Sequence, residues 1–485
     1  MADSDSAARL ARVPAGARRV HLIGVGGTAM AALAGMLSER GLVVTGSDNQ
    51  LYEPTASLLR NSRVMVVTGF APANLSPAPD LVVVGNVIMR ANPEAAALLD
   101  SPIPYLSMPE ALWHFFLKDR VVLMVAGTHG KTTSTAMMAH VLSAAGRDPS
   151  MLVGGVANDF GSNYRIGAGP DFVIEGDEYD TAFFDKGPKF LHYHARGAII
   201  TAVEFDHADI YRDLEHVKSS FRALVDQLEP SCVLAVCADF PHAVEVSAAA
   251  RARRLSFGLR EGEYRATDIS IGADGAKFSI TRVGKRIVDA VHLPMGGRMN
   301  VANALGVYVL LSAFEVPDAE ILSGFKSFTG VVRRQQVIGE ANGVTVVDDF
   351  AHHPTAIHVT LEAIAERFPG RRILAAFEPR SNTARRNVFQ DAFAAAFDRA
   401  SRVYLGPVYF KENDPIPPDQ RLATNVLASA IGSHGPSAFA CDSNDQILER
   451  MLSDARVGDV ALFMSNGPFD GLKERFLAGM KGRPS

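Results

Sequence analysis

The stretch "RVVLMVAGTHGKTTSTAMMAH", Arg120 to His140, most narrows what the chain can fold into: an apolar run, a glycine-bounded turn, then Lys-Thr-Thr heading a segment of helical spacing. A strand that turns through glycines into a helix is the corner of an α/β sheet, and the backbone N–H groups at such a helix start favour an anion. The standard phosphate loop G-x-x-x-x-G-K-[ST] would place a glycine at position 125, but Val125 stands there and the upstream glycine is Gly127. The loop is therefore shortened. Its residues still suit phosphate: the glycines admit close approach of backbone amides, Lys131 brings positive charge to the outer phosphates, and the Thr132 hydroxyl can ligate magnesium. The competing reading is an ordinary β-turn-α corner.

A second corner lies near the start of the chain. "HLIGVGGTAMAALA" sets Gly24, Gly26 and Ala29 in the G-x-G-x-x-[G/A] pattern after a strand, with Asp48 at the end of the next strand. The pattern suits a diphosphate at a helix N-terminus and an acidic acceptor for a ribose hydroxyl, leaving NAD, FAD and a sugar nucleotide open, with a purely structural turn as the alternative. A further strand, "DLVVVGN", ends at Gly85-Asn86.

Beyond the second loop, "DFVIEGDEYD" and "GAIITAVEFDHADIY" each set a short apolar run before carboxylates. Parallel strands would deliver these polar ends to one sheet edge, where open α/β sheets bind ligands. Glu175 is the best magnesium candidate, because magnesium takes one or two protein carboxylates alongside substrate oxygens. Glu178 and Asp180 read as solvated loop charges or substrate contacts. His207 reads as a structural hydrogen-bonding residue or, by its placement at the same predicted sheet edge, as a metal or phosphate residue, and His352-His353 can simply cap a helix beginning at Pro354. Residues 250–292 alternate as a hairpin excursion and "MNVANALGVYVLLSAF" returns to helix. A third α/β unit follows with strands at "VTVVDD", "RRILAAFEPR", "RVYLGPV" and "DVALFMSNG". Arg333 and Arg334 open that unit as a solvated pair or as phosphate or ribose contacts, and Arg380 at a strand end offers a bidentate fork for a carboxylate.

Composition bounds the rest. A chain of 485 residues with 47% hydrophobic content carries material for roughly three domains of ~150 residues. A net charge of −5 without basic runs argues against nucleic acid as a partner. No segment reads as a signal peptide or a membrane span, and the sparse Cys232, Cys237 and Cys441 fit a reducing cytoplasm. The fold class expected is α/β in three domains: a Rossmann-like domain over 1–118, a P-loop ATPase-like centre over 119–330 and a Rossmann-like domain over 331–485.

"AGTHGKTT" with its short spacing resembles the ATP loop of the Mur ligase family, and "HLIGVGGTAMAALA", "EGDEYD", "EFDHADIY", "NVANALG" and "DDFAHHPTA" follow in that family's order. The resemblance spans nearly the whole chain. It implies an ATP-dependent amide ligase acting through an acyl phosphate, whose first domain holds UDP, whose centre holds ATP and Mg2+, and whose third domain brings the amine and closes the site. Carried over, UDP falls to Gly24, Gly26, Gly27, Thr28, Asp48 and Asn86. ATP falls to Gly127, Thr128, His129, Gly130, Lys131, Thr132 and Thr133, with Asn300 and Asn303 at the adenine and Arg334, Asp348 and His353 completing the site. Magnesium falls to Thr132, Glu175 and His207; Lys131, Glu175 and His207 are the catalytic set. The carbamylated lysine of some relatives has no counterpart at matching spacing after His207. "FEPRSNTARR" and "MNVANA" depart from the L-alanine-adding members and resemble those that join a murein tripeptide, L-alanyl-γ-D-glutamyl-meso-diaminopimelate, to UDP-N-acetylmuramate. Arg380, Ser381 and Asn382 would then bind the peptide. An L-alanine-adding ligase is the near alternative; a nicotinamide-dependent oxidoreductase, suggested by the first corner alone, leaves the Gly127 loop unexplained.

Overall fold

The computed structural model describes residues 2–410 and 414–482. The chain packs into two compact units, one made of Met1–Val203, Glu215–Phe257 and Gly306–Gly324, the other of Glu204–Leu214, Gly258–Leu305 and Phe325–Ser485.

The first unit holds two large sheets and a short antiparallel pair, Asp180–Ala182 with Asp185–Pro188. Its N-terminal sheet is wholly parallel, in the order Met65–Thr68, Val43–Asp48, Arg19–Ile23, Leu81–Val84, Tyr105–Ser107. Strand order reverses beside Arg19–Ile23, so the Gly24 corner sits at the switch point where such sheets open to ligands. Helix Thr28–Glu39 is small and apolar along its length, and Met30 to Leu37 are buried against the sheet. The second sheet runs Arg253–Gly258, Val233–Cys237, Gly197–Ile200, Val121–Ala126, Asp171–Gly176, Ser150–Ala157 and Ser162–Arg165. All these neighbours are parallel except the final pair. Val121–Ala126, Asp171–Gly176 and Gly197–Ile200 are therefore adjacent and end at one edge, with Ala126 opposite both Gly176 and Ile200.

The two large sheets of this unit are joined by a close fit. Tyr164 donates to Glu39 Oε1 at 2.8 Å, and a Cβ on Gly35 would lie 2.5 Å from the Tyr164 hydroxyl oxygen. The "SMPEALWHFFLKDR" segment forms a helix, Met108–Leu112, begun by a capping box between Ser107 and Glu110, and then a π-helical turn. A helix at Ala2–Ala11 goes beyond the sequence reading; its Arg9 guanidinium bonds Glu110 at 2.7 Å, lies 3.8 Å from Asp185 and sits over the Phe184 ring.

In the second unit the expected excursion is three antiparallel strands, Tyr264–Gly272, Gly275–Arg282 and Lys285–Leu293. The C-terminal sheet runs Gln336–Ala341, Val344–Asp349, Val460–Met464, Ile373–Phe377, Arg402–Leu405, Ser437–Ala440, antiparallel only at its first pair. Both faces are covered, as parallel sheets require. Helices Pro354–Arg367, Gln390–Ala396 and Thr424–Ser433 bury Ile357, Leu361, Phe393 and Leu427 on one face, and Asn444–Asp454 and Leu472–Lys481 bury Ile447, Met451 and Phe476 on the other. Among the described residues no helix is long and apolar enough to cross a membrane.

Candidate active site

The short phosphate loop is held by the neighbouring strand end. Gly127 has φ +132°, and a Cβ there would meet Thr201 Oγ1 at 2.2 Å and the backbone N and O of Ala202 at 2.9 Å. Thr128 N–H donates to Ala202 O at 2.9 Å, and the Thr201 hydroxyl donates to His129 O at 2.5 Å. Glycine at 127 is thus required twice, by conformation and by space. Gly130, at φ +79°, begins helix Lys131–Ala144 without a side-chain cap of its own, so the positive end of the helix faces the loop.

Lys131 Nζ donates to Gly127 O at 2.6 Å and to both Glu178 oxygens at 2.9 Å. Burial pushes the ammonium down, but the carboxylates of Glu178, Glu175 and Asp177 outweigh it and hold Lys131 above the ordinary lysine range. Glu178 is no solvated loop charge: its side chain is 3% exposed, and it neutralises the lysine. Asp180 does pair at the surface, with Lys186 at 2.9 Å. The Thr132 hydroxyl donates to Glu175 Oε1 at 3.0 Å, and Glu175 Oε2 accepts from Gly154 N–H at 2.7 Å. A hydroxyl and a carboxylate held side by side at the foot of a phosphate loop are a hard-oxygen set of the kind magnesium takes, so the residues present fit that ion.

At the first corner Gly24 has φ +82° and its N–H donates to Ser47 O at 2.9 Å. Asp48 braces the turn: Oδ2 accepts from Gly26 N–H and Oδ1 from Asn49 N–H, each at 2.8 Å. Gly27 leads into Thr28–Glu39 with no side-chain cap, leaving that helix end to backbone donors as well. Gly85 N–H donates to Ile23 O, which sets Asn86 beside the corner, and Ile88 packs on Gly24.

The second unit carries the remaining expected residues. Asn300 and Asn303 are buried on helix Arg298–Ala313; Asn300 donates to Gly296 O at 2.8 Å and Asn303 to Asn300 Oδ1 at 3.4 Å. Arg334 lies over the Phe350 ring at 4.8 Å. Asp348 is paired with Lys473 and stands 3.3 Å from Arg333 Nε. His353 caps helix Pro354–Arg367: its Nδ1 accepts from Thr355 N–H at 3.3 Å, so the proton is on Nε2, which donates to Phe205 O at 3.2 Å. His207 takes φ +54° and its backbone N–H bonds Asp206 Oδ1 at 2.7 Å. Burial works to raise Asp206, yet His207, His353 and His352 hold its carboxyl well below the usual range. The structure thus gathers Lys131, Thr132, Glu175 and Glu178 in one unit and Asp206, His207, His352 and His353 in the other. The magnesium role of His207 rests on its placement in the sequence and on the resemblance.

On the peptide side, Arg380 is 54% exposed with Nη1 3.7 Å from Glu378 Oε1. Ser381 Oγ accepts from Ala384 N–H at 3.0 Å, and Asn382 donates to Asp209 Oδ2 at 2.8 Å while accepting from Arg385 at 3.0 Å. Of the three, Arg380 projects and the other two shape the turn. Of the two readings open for Arg333, a solvated charge and a phosphate or ribose contact, the first does not hold. Arg333 is not a solvated partner of Arg334, because its Nη2 donates to the carbonyls of Ser465 and Gly467, each at 2.6 Å. Backbone carbonyls leave no side-chain signal, so only the apolar run "DVALFMSNG" hinted that a strand end stood there.

Comparison with known proteins bears on all of this. The Mur ligase family catalytic domain matches residues 19–120, the Mur ligase middle domain 125–311 and the Mur ligase glutamate ligase domain 333–467. The chain is 36% identical over 465 residues to the UDP-N-acetylmuramate--L-alanyl-gamma-D-glutamyl-meso-2,6-diaminoheptandioate ligase of Haemophilus influenzae, covering 96% of this chain and 99% of that protein. A UDP-N-acetylmuramate--L-alanine ligase of Geobacter sp. (strain M21) is 31% identical over 465 residues, 96% of this chain and 98% of that protein. Among solved structures, the murein peptide ligase of Psychrobacter arcticus 273-4 superposes with a TM-score of 0.70 at 32% identity, covering 96% of this chain and all of that one.

Proposed function

Because the chain belongs to the Mur ligase family, we propose that it joins the tripeptide L-alanyl-γ-D-glutamyl-meso-diaminopimelate to UDP-N-acetylmuramate at the expense of ATP. The setting is the cytoplasm, where sugar nucleotide and ATP are both at hand, and the product re-enters peptidoglycan synthesis. The observation that carries the reading is the full-length likeness to ligases of that name, together with a phosphate loop whose Lys131, Thr132 and Glu175 are arranged for nucleotide.

The chemistry follows from what a carboxylate lacks. It does not condense with an amine in water without a leaving group. The lactyl carboxylate of the muramate attacks the γ-phosphorus, the bond to the β-phosphate oxygen breaks, and an acyl phosphate and ADP result. The tripeptide α-amine then attacks the acyl carbon, gives up a proton, and inorganic phosphate leaves. Little covalent help is needed from protein; charge and position supply most of the effect. Lys131 is the cation for the outer phosphates: buried and held charged by Glu178, it needs only to exchange one anionic partner for another. The loop from Gly127 to Thr133, apart from the Thr128 N–H that Ala202 O takes, and the start of helix Lys131–Ala144 offer the remaining positive potential. Magnesium, when bound, lowers the charge of the transferring phosphoryl group, and Thr132 and Glu175 are the residues that would hold it. Asp48 fixes the first turn for the uridine diphosphate, and Arg380 supplies a fork for a peptide carboxylate.

An amine screen tests the proposal. With UDP-N-acetylmuramate and ATP, phosphate release is expected to respond to the tripeptide far better than to L-alanine. The reverse order would sink this reading and favour the L-alanine-adding alternative.

A further inference from the structure

We infer that Gly467 and Glu378 are positioning residues for the peptide: they set the direction of the Arg380 guanidinium and so the selectivity for a carboxylate-bearing amine. The inference rests on the proposed role of Arg380 as the carboxylate anchor.

Strands Ile373–Phe377 and Val460–Met464 are parallel neighbours that end together, Phe377 opposite Met464. The segments leaving them are tied at once. Glu378 N–H donates to Met464 O at 3.1 Å, the Ser465 hydroxyl donates to Glu378 Oε2 at 2.5 Å, and Gly467 N–H donates to Ser465 Oγ at 2.8 Å. Arg333 grips the same short loop through the carbonyls of Ser465 and Gly467. Glu378 and Ser465 are buried, so the loop is held from both sides by bonds water does not contest.

Arg380 lies across this platform. A Cβ on Gly467 would fall 2.4 Å from Arg380 Cδ, 2.6 Å from Nε and 3.0 Å from Cζ. The arginine stem therefore occupies the space a side chain at 467 would take. Gly467 lies outside the positive-φ set, so its backbone does not call for glycine; the arginine does. The free oxygen of Glu378, Oε1, lies 3.7 Å from Arg380 Nη1, near enough to orient the guanidinium electrostatically but too long to hold it as a bonded pair. One edge of the fork is steered by Glu378, the stem is steered by Gly467, and the head stays accessible. A planar five-donor group with its direction set and its face open is suited to bidentate recognition.

The test compares kcat/KM for the tripeptide with that for an analogue whose diaminopimelate carboxylates are amides, using the full chain. Arg380→Ala is expected to reduce the preference for the carboxylate form by about tenfold or more, the usual worth of a charge-assisted bond. Gly467→Ala, which adds no backbone strain, is expected to reduce it several-fold through the tripeptide KM with kcat retained, and to change nothing further when combined with Arg380→Ala. Glu378→Gln, which keeps an acceptor for Ser465, is expected to lower the preference less, and the melting temperatures of the variants report whether the fold is intact. If Arg380→Ala leaves the preference unchanged, the anchor reading itself is wrong. If Arg380→Ala abolishes it while Gly467→Ala with an intact melt does not alter it, or if Gly467→Ala acts equally in the Arg380→Ala background, the positioning inference alone is overturned.

Discussion

Gly127→Ala is the sharpest probe of why the phosphate loop is short. The glycine has φ +132°, a conformation that costs an L side chain on the order of 1–2 kcal/mol. The new methyl would stand 2.2 Å from Thr201 Oγ1, which donates to His129 O at 2.5 Å. Displacing that hydroxyl forfeits a buried hydrogen bond worth about 1 kcal/mol. Ala202, at 2.9 Å through both backbone N and O, cannot swing aside as a side chain would. Together these amount to about 2–3 kcal/mol, or roughly 4–12 °C in Tm for a domain of this size. The effect on catalysis is larger than the effect on stability, because a shift of about 1 Å in the amides that meet phosphate costs about a hundredfold. Thermal melting and ATP-dependent phosphate release measure the two separately. Val125→Gly, which restores the standard spacing, serves as the contrast: it removes a fully buried strand side chain and is expected to lose stability without improving ATP use. A Gly127→Ala enzyme that melts and turns over like wild type would refute the argument that the strand end at Thr201–Ala202 dictates the loop's spacing.

Other predictions follow from the same geometry. Lys131→Met removes the ammonium that neutralises the buried Glu178 carboxylate and is expected to cost about 3–5 kcal/mol of stability as well as turnover; adding Glu178→Gln should restore the melt but not phosphate release, and a double variant as unstable as the single one would contradict the pairing. Gly35→Ala, which in an exposed helix would stabilise by about 1 kcal/mol, is expected to destabilise here because its Cβ meets the Tyr164 hydroxyl at 2.5 Å. Burial raises the Tyr164 hydroxyl from 10.0 to about 12. A raised folded-state value means that the stabilisation is complete below pH 10 and is lost as pH climbs from 10 to 12, by about 3 kcal/mol at most. Tyr164→Phe should remove that part of the pH dependence in denaturant titrations, and an unchanged slope would refute it.

What was legible in the sequence was legible because it is local. The two glycine corners are encoded within a few residues of the strands and helices they join, and the apolar runs before Glu175 and His207 announce strands that end at one edge. The parallel order Gly197–Ile200, Val121–Ala126, Asp171–Gly176 turns that expectation into a register. Polar residues whose partners are distant in sequence were harder. Glu178 looks like any loop acid until Lys131, 47 positions earlier, is laid against it. Arg333 looks like half of a basic pair until it meets carbonyls more than 130 positions later. Asp48 illustrates a subtler limit: its spacing from Gly26 was read as a ribose acceptor, and the same carboxylate braces the turn by accepting from Gly26 and Asn49.

His207 shows how far local reading reaches. Its sequence neighbourhood, an apolar strand running into "EFDHADIY", assigns it to the central sheet, and the strand Gly197–Ile200 does lie there. The chain nevertheless leaves the first unit at Val203, and Glu204–Leu214 packs with the second. Within that segment the left-handed backbone of His207, the bond from its N–H to Asp206 and the bond from His353 to Phe205 form one polar cluster. The "EFDHADIY" and "DDFAHHPTA" motifs, about 145 positions apart, therefore form a single structural feature around Asp206, which accepts from the His207 N–H and whose carboxyl stays well below the usual range despite its burial.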